Sequence, residues 1–159
     1  KAAAVRRVLP SRVKIEVFER QPFAYVPNGR QYYLIDRERV VLEKANGMAD
    51  ESLFKIESDS IMHSDVGQRL GFPYEKKFDV LCEVLDEHLK GRYTTLRFDS
   101  KGIKLFLRDG VYVLLGDGSE VEKKVMLVPI IIRKLREAEE HFVGLNLEYL
   151  ESPTFIKRG

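Results

Sequence analysis

Residues 103–118, IKLFLRDGVYVLLGDG, predict two neighbouring strands joined by a tight turn. Apolar residues dominate on both sides of Asp109-Gly110, and this dipeptide tolerates the positive φ angles that hairpin turns require. Each side is long enough for a short strand of ordinary length. The sequence therefore predicts a β-hairpin with strands at 103–107 and 111–115.

A long helix is predicted to follow, with the sequence SEVEKKVMLVPIIIRKL at 119–135. Its apolar residues recur at helical spacing, and Ser119 and Glu122 have the spacing of a capping box at its start. Pro129 lies inside the pattern and should kink the helix, because proline removes a backbone hydrogen bond. Gly144 is expected to end the helix.

The other predicted elements follow from the same two periodicities. Strands are predicted at 5–9, 13–18, 23–26, 31–35, 40–42, 53–56, 94–98 and 145–149, and a first helix at 73–90. Most links between strands are too short for parallel crossovers, so only the helix-containing connections can join parallel neighbours. The predicted fold class is α+β, with a mixed, largely antiparallel β-sheet and two helices packed on it.

The composition restricts the classes of function. The 159 residues suit one domain, or one domain plus a fragment. Lys and Arg number 27 against 25 Asp and Glu, and this near balance argues against a nucleic-acid binder that relies on phosphate neutralisation. A single cysteine, Cys82, allows no intramolecular disulfide. No apolar run is long enough to span a bilayer. Because the chain starts at Lys1, we interpret it as a piece of a longer protein.

Motifs for chemistry are weak throughout the sequence. Gly116-Asp117-Gly118 precedes a predicted helix, as a phosphate loop would, but it lacks the remaining residues of either nucleotide-binding fingerprint. The three histidines lie in three different elements without metal-ligand spacing; they are His63, His88 and His141. Cys82 lies on the apolar face of the first predicted helix, where a core thiol is expected. We therefore predict no catalytic residues, no metal site and no cofactor.

The end of the chain is a candidate docking site. A sheet that closes with a short terminal strand offers unpaired backbone groups, and such edges recruit partner strands. Tyr149, Pro153 and Phe155 are plausible anchors at that edge, although the alternation also allows Tyr149 to pack in the core. The same alternation predicts that Leu147 is buried.

Five segments have the order and spacing of one protein family. They are VLP at 8–10 with VKIEVFERQPFA at 13–24, YLID at 33–36, LRDG at 107–110 with VLLG at 113–116, EKK at 122–124, and LNLEY at 145–149. Together they resemble the FtsQ/DivIB family of bacterial cell-division proteins. Arg39 stands where the family usually has a glycine, and Glu148 stands where the usual Asp-Leu-Arg-Tyr has its arginine. Residues 44–72 match no segment of the family pattern.

The resemblance implies a non-catalytic divisome scaffold. Residues 1–20 would be the C-terminal hairpin of a truncated POTRA domain, and 21–159 would be the family's β domain. The scaffold would be a single-pass inner-membrane protein with this domain on the extracytoplasmic (periplasmic) side, anchored through a segment absent from this chain. Its partners would be other divisome membrane proteins, above all the FtsB and FtsL coiled-coil proteins, recruited during septum formation by strand addition at the C-terminal edge. The implied partner-binding residues are Glu148, Tyr149, Leu150, Glu151, Ser152 and Phe155.

The sequence also allows two other functions. POTRA-like hairpins also occur in outer-membrane assembly and transport modules, but those chains usually repeat the unit, and no internal repeat is visible here. An enzyme of unrecognised type would need a pocket that holds an acid or base with a strongly perturbed pKa.

Overall fold

A computed structural model describes residues 2–8, 12–47 and 52–157 of the chain. It confirms the predicted α+β class, with two helices and a nine-stranded mixed sheet. A separate two-stranded antiparallel sheet is formed by β1 (Ala2–Val8) and β2 (Arg12–Phe18), with Val5 opposite Ile15. The exposed side chains Ile15, Val17 and Phe18 lie on β2.

The large sheet contains all the other strands. They are β3 (Ala24–Asn28), β4 (Gln31–Ile35), β5 (Val41–Asn46), β6 (Phe54–Ser58), β7 (Tyr93–Asp99), β8 (Gly102–Leu107), β9 (Tyr112–Gly116), β10 (Phe142–Asn146) and β11 (Thr154–Lys157). Their spatial order is β11-β10-β9-β8-β7-β6-β3-β4-β5. The pairs β3/β6, β6/β7 and β9/β10 are parallel, and the others are antiparallel. Both helices lie in crossovers between parallel neighbours, as predicted: α1 (Glu75–Leu89) between β6 and β7, and α2 (Val121–Glu137) between β9 and β10. The prediction that only helix-containing connections join parallel neighbours is wrong for β3 and β6, because the chain between these parallel strands forms β4 and β5 and no helix.

One continuous core holds the sheet and the helices together. Alternate strand residues such as Leu105, Val113 and Leu145 are fully buried, and they join the buried faces of both helices. Helix α1 has the predicted apolar stripe, in which Phe78 and Leu85 are fully buried. Burying each such side chain stabilises the fold by about 1.5–3 kcal/mol before the entropy of ordering is counted.

Several predicted helix boundaries on α2 are wrong. Ser119 does not cap the helix, because Glu120 precedes the first turn in the left-handed conformation and makes no side-chain capping bond. Pro129 lies inside α2, as predicted, and the helix continues to Glu137, whereas the kink expected at this proline stays a prediction. Gly144 lies within β10 instead of ending the helix. The chain turns back after Glu137 through Glu139, whose φ is 55°.

The two edges of the large sheet differ. Backbone bonds from the 65–70 loop cover the start of β5: the amide of Val41 donates to Gln68 at 2.9 Å, and the amide of Gly67 donates to Val41 at 2.8 Å. The β4/β5 pair contains an irregular register next to Ile35. At the other end, β10 is the only described strand that pairs with β11.

Arg39 explains one departure from the family pattern. It takes a left-handed φ of 66°, a conformation that glycine adopts without strain. Its side chain is nevertheless buried, and its guanidinium donates to Glu75 at 2.9 Å at the start of α1. The arginine therefore ties the β4–β5 turn to α1.

Candidate functional site

The segment from β10 to β11 forms the C-terminal edge of the sheet. Leu147, directly after β10, is fully buried, as the alternation predicted. Its amide donates to Leu114 on the neighbouring strand at 2.9 Å. The Asn146 side chain then accepts the amide of Glu148 at 2.9 Å. These contacts fix the point where the chain leaves the sheet and begins a turn.

Five of the six predicted partner-binding residues lie in this turn. The predicted strand over 145–149 is wrong beyond Asn146, because β10 ends there and the Ser152 amide donates to Tyr149 at 3.2 Å to close a turn. Tyr149 is 75% exposed, which answers whether it packs in the core. Glu151 and Ser152 are also exposed, whereas Glu148 and Leu150 are half-buried.

Phe155, the sixth predicted residue, lies on β11 itself. It is paired with Leu145 of β10, and its half-buried ring packs against the core. Lys157 lies two residues further on, with its ammonium 5.4 Å from the centre of the Phe155 ring and 3.3 Å from the carboxylate of Glu140. Among the residues that the structure describes, no strand pairs with the outer side of β11.

A cleft of about 500 Å³ opens beside the turn and is mainly acidic. Its lining residues are Lys101, Gly116, Asp117, Ser119, Glu120, Glu148, Tyr149, Leu150 and Glu151. Hydrogen bonds from Ser119 lower the pKa of Asp117, and the hydrogen bond from Lys123 lowers the pKa of Glu120. Both carboxylates therefore stay ionised at neutral pH, and the cleft is complementary to a basic group.

A buried lysine, Lys124, contacts the end of β9 next to this region. The sequence analysis did not identify it. Residue Leu115 is the extra residue of a β-bulge, since Ile103 pairs with Gly116 while Lys104 pairs with Leu114. The ammonium of Lys124 donates to the Leu115 carbonyl at 2.9 Å, and the lysine is only 1% exposed. Burial lowers the pKa of Lys124. The lysine thus satisfies a carbonyl that the bulge leaves out of the ladder.

The glycine-rich segment before α2 is a structural turn. Gly118 has a φ of 75°, and a side chain there would come within 2.7 Å of Ile103 and 2.9 Å of Lys77. The amide of Ser119 donates to the Asp117 carboxylate at 2.8 Å, and the Lys77 ammonium donates to the Asp117 carbonyl. Packed in this way, the segment holds the turn together instead of cradling a phosphate.

Among the side chains that could take part in catalysis or metal binding, Cys82, His63 and His141 lie in separate parts of the described structure. Burial raises the pKa of the Cys82 thiol, so the thiolate that nucleophilic chemistry needs is scarce. His63 is 3.2 Å from the Tyr33 hydroxyl, while His141 contacts the Glu139 carbonyl in a distant turn. Within the described ranges, no group of three or more His, Cys, Asp or Glu side chains could hold a metal ion.

Neither described helix combines the length and the apolar character that crossing a membrane requires.

The fold and its C-terminal edge define a class: an α+β domain whose large mixed sheet ends, among the described strands, in one that is paired on a single side. No family model matches the chain. Curated relatives do match it, and all of those compared carry the name "Cell division protein DivIB".

Three relatives illustrate the similarity. The protein from Clostridium tetani is 23% identical over 98% of this chain and 61% of its own length. The Clostridium acetobutylicum protein is 29% identical over 92% of the chain and 56% of its own length. The protein from Clostridium botulinum strain Hall is 22% identical, over 91% of the chain and 59% of its own length. The chain thus spans somewhat more than half the length of the curated relatives that it matches.

These similarities support the FtsQ/DivIB family for this chain and confirm the resemblance found in the sequence.

Proposed function

We propose that this domain is a non-catalytic scaffold of the bacterial divisome that recruits FtsB- and FtsL-type proteins by strand addition at β11. The observation that carries the proposal is the position of β11, a short edge strand that pairs on one side only within the part of the chain that the structure describes. An extended partner segment added there gains main-chain hydrogen bonds, and alternate side-chain pockets give it specificity.

Side chains around β11 supply anchors for such a segment. Tyr149 is the most exposed large hydrophobic residue of those described, and it projects from the turn directly before β11. Phe155 presents a half-buried ring on the core side of the strand. Large aromatic side chains at an interface carry a disproportionate share of binding energy. Tyr149 and Phe155 are therefore the proposed anchors, with Glu148, Leu150, Glu151 and Ser152 around them.

The negative charge beside the turn indicates which charge the partner segment should carry. Asp117, Glu120, Glu148 and Glu151 outnumber Lys101 in the cleft beside the turn. A partner segment that runs from β11 across this cleft should therefore carry Lys or Arg at that point. Glu148 replaces an arginine of the family pattern, so the partner's matching charge should be reversed as well.

The remaining features of the proposal follow from the family. We propose that residues 1–20 are the last hairpin of a POTRA domain and that 21–159 are the β domain. The whole protein is proposed to be a single-pass inner-membrane protein, with this domain on its extracytoplasmic side. Its wider contacts are proposed to be with other divisome membrane proteins.

The test combines binding with amide hydrogen exchange. The cognate FtsB extracytoplasmic segment is titrated onto the wild-type chain, onto Tyr149→Ala and Phe155→Ala, and onto Phe18→Ala as an exposed aromatic control on the small sheet. We expect the two edge variants to bind at least about tenfold more weakly, and the control to bind normally.

Exchange distinguishes strand addition from side-chain docking. If the partner adds a strand, the outward-facing amides of β11 (Thr154–Lys157) exchange more slowly in the complex. Normal binding by both edge variants, or binding that leaves β11 exchange unchanged, would show that the proposed edge is wrong.

A further inference from the structure

A second cleft lies at the end of the sheet opposite to the β10–β11 turn. It is formed by the β8–β9 turn and the C-terminal ends of α1 and α2, and its volume is about 830 Å³. β9 and β10 run parallel, so the β8–β9 turn, which precedes β9, and the β10–β11 turn, which follows β10, are at opposite ends. The two surfaces can therefore be tested separately.

The floor of this cleft is apolar. Leu89, Leu107 and Ile132 contribute from three different elements, and each is buried. Pro129 of α2 also lines the cleft and is half-buried. A volume of this size with an apolar floor is typical of clefts that bind ligands.

The rim of the cleft is strongly basic. Four arginines line it, against two acidic residues: Arg92, Arg108, Arg133 and Arg136, with Asp109 and Glu137. All six are exposed. The rim therefore carries an excess of positive charge, while the chain as a whole is nearly balanced.

Two of the arginines have structural partners. The Arg108 side chain donates to the Gly91 carbonyl at 2.6 Å, directly after α1. Arg136 pairs with the Asp109 carboxylate at 2.5 Å, which ties α2 to the β8–β9 turn. These bonds explain the positions of the Arg108 and Arg136 side chains without any ligand.

The other two arginines are available to a partner. Arg133 approaches Glu137 only at 3.9 Å, on an exposed helix face. Within the described residues, no side-chain bond or ion pair of Arg92 is found. A helix C-terminus favours cations, which explains why arginines are tolerated here. It does not explain why they surround an apolar floor.

We propose that this cleft docks an acidic segment of a protein partner, with one apolar side chain on the floor and flanking carboxylates on Arg92 and Arg133. The planar guanidinium matches the carboxylate in geometry, and Arg136 already pairs with the Asp109 carboxylate on the same rim. A plain polyanion would leave the apolar floor unused. The site is independent of strand addition at β11.

The test uses the full chain labelled for NMR, with synthetic peptides as probes. One peptide carries a leucine flanked by glutamates, and a second has serine in place of the leucine. The protein variants are Arg92→Glu/Arg133→Glu and, as a control, Arg30→Glu, an exposed arginine in the β3–β4 turn. Thermal unfolding confirms that each variant is folded.

We expect the leucine peptide to shift resonances around the β8–β9 turn and to bind the double variant about tenfold more weakly. The Arg30→Glu control should bind normally, and the serine peptide should bind weakly. The proposal is overturned if neither peptide binds, if both bind equally, or if the shifts centre on 148–155. It is also overturned if polyphosphate or phosphatidylglycerol vesicles shift the cleft resonances while the leucine peptide does not.

Discussion

Replacing Lys124 with methionine should destabilise the domain, although it removes a buried charge from the core. The lysine is 1% exposed, and its ammonium donates to the carbonyl of the bulge residue Leu115 at 2.9 Å. Methionine has a similar length but cannot donate. The substitution therefore leaves the Leu115 carbonyl buried without its partner.

The size of the effect follows from two opposing contributions. Leaving a buried acceptor without a donor costs about 1–3 kcal/mol. Removing a desolvated ammonium offsets part of that loss, since buried ions are poorly compensated by one hydrogen bond. We expect Lys124→Met to lower the free energy of unfolding by about 1–2 kcal/mol at pH 7. For a domain of this size, the melting temperature should fall by about 2–8 °C.

The pH dependence gives a sharper test. Burial lowers the pKa of Lys124, so between its folded pKa and the unfolded value of 10.5 the unfolded chain binds more protons than the folded one. Stability contributed by this group therefore rises with pH across that window. Methionine cannot titrate, so the deficit of Lys124→Met relative to wild type should grow as the pH approaches 10.

Urea denaturation at several pH values measures both effects. Lys123→Met is the matched control, because Lys123 is exposed and its ion pair with Glu120 at 2.6 Å contributes little. A deficit that is absent at pH 7, or one that shrinks as the pH rises, would refute the assigned role of Lys124.

Three further predictions concern the core and its surroundings. Leu147→Asp should destabilise the fold by more than about 3 kcal/mol, because it places a carboxylate at a fully buried position without a partner; unchanged thermal unfolding would contradict the burial. Gly144→Ala should lower the free energy of unfolding by about 1–3 kcal/mol, because its methyl group would come within 2.6 Å of the Tyr112 ring. Combining it with Tyr112→Ala should recover part of this stability. If the effects of the two single substitutions simply add, the contact is not the cause. Cys82 should react with iodoacetamide only after unfolding, because its thiol is buried and its pKa is raised; mass spectrometry of the native chain at pH 8 should find no modification.

The elements that the sequence predicts well are those in which local and tertiary preferences agree. The hairpin at Asp109-Gly110 forms as expected: Gly110 has a φ of 84°, and the Leu107 amide bonds Val111 at 2.8 Å across the turn. Helix α1 ends within a residue of its predicted limit, because its apolar stripe and Gly91 indicate the same boundary.

The failures occur where a nearby polar group overrides a local motif. The capping box at Ser119 and Glu122 does not form, because Asp117 already accepts the Ser119 amide and the chain enters α2 through a left-handed residue. Phe142 continues the apolar spacing of α2, yet it belongs to β10, since the chain reverses at Glu139.

Other features depend on contacts that no local pattern reveals. The 65–70 loop covers β5 through bonds between residues that are far apart in sequence, such as Val41 and Gln68. Lys124 lies three residues after Val121 and four before Val128, which places it on the buried face of α2, but no local pattern shows that the Leu115 carbonyl is there to accept its ammonium. Near the candidate site, the sequence predicted the burial of Leu147 correctly, but it placed Tyr149 in a strand instead of a turn.

The two edges of the large sheet differ, and this difference affects whether copies of the domain can pair edge to edge. Two copies could polymerise head to tail only if β11 of one copy met β5 of the next. The start of β5 is already occupied by the 65–70 loop, and Glu43 and Lys44 add charges along the rest of the strand. Such charges and irregularities are how natural sheets prevent unwanted pairing. The covered β5 therefore disfavours growth of the sheet from β11 of one copy to β5 of the next, so the domain should not form filaments by that route.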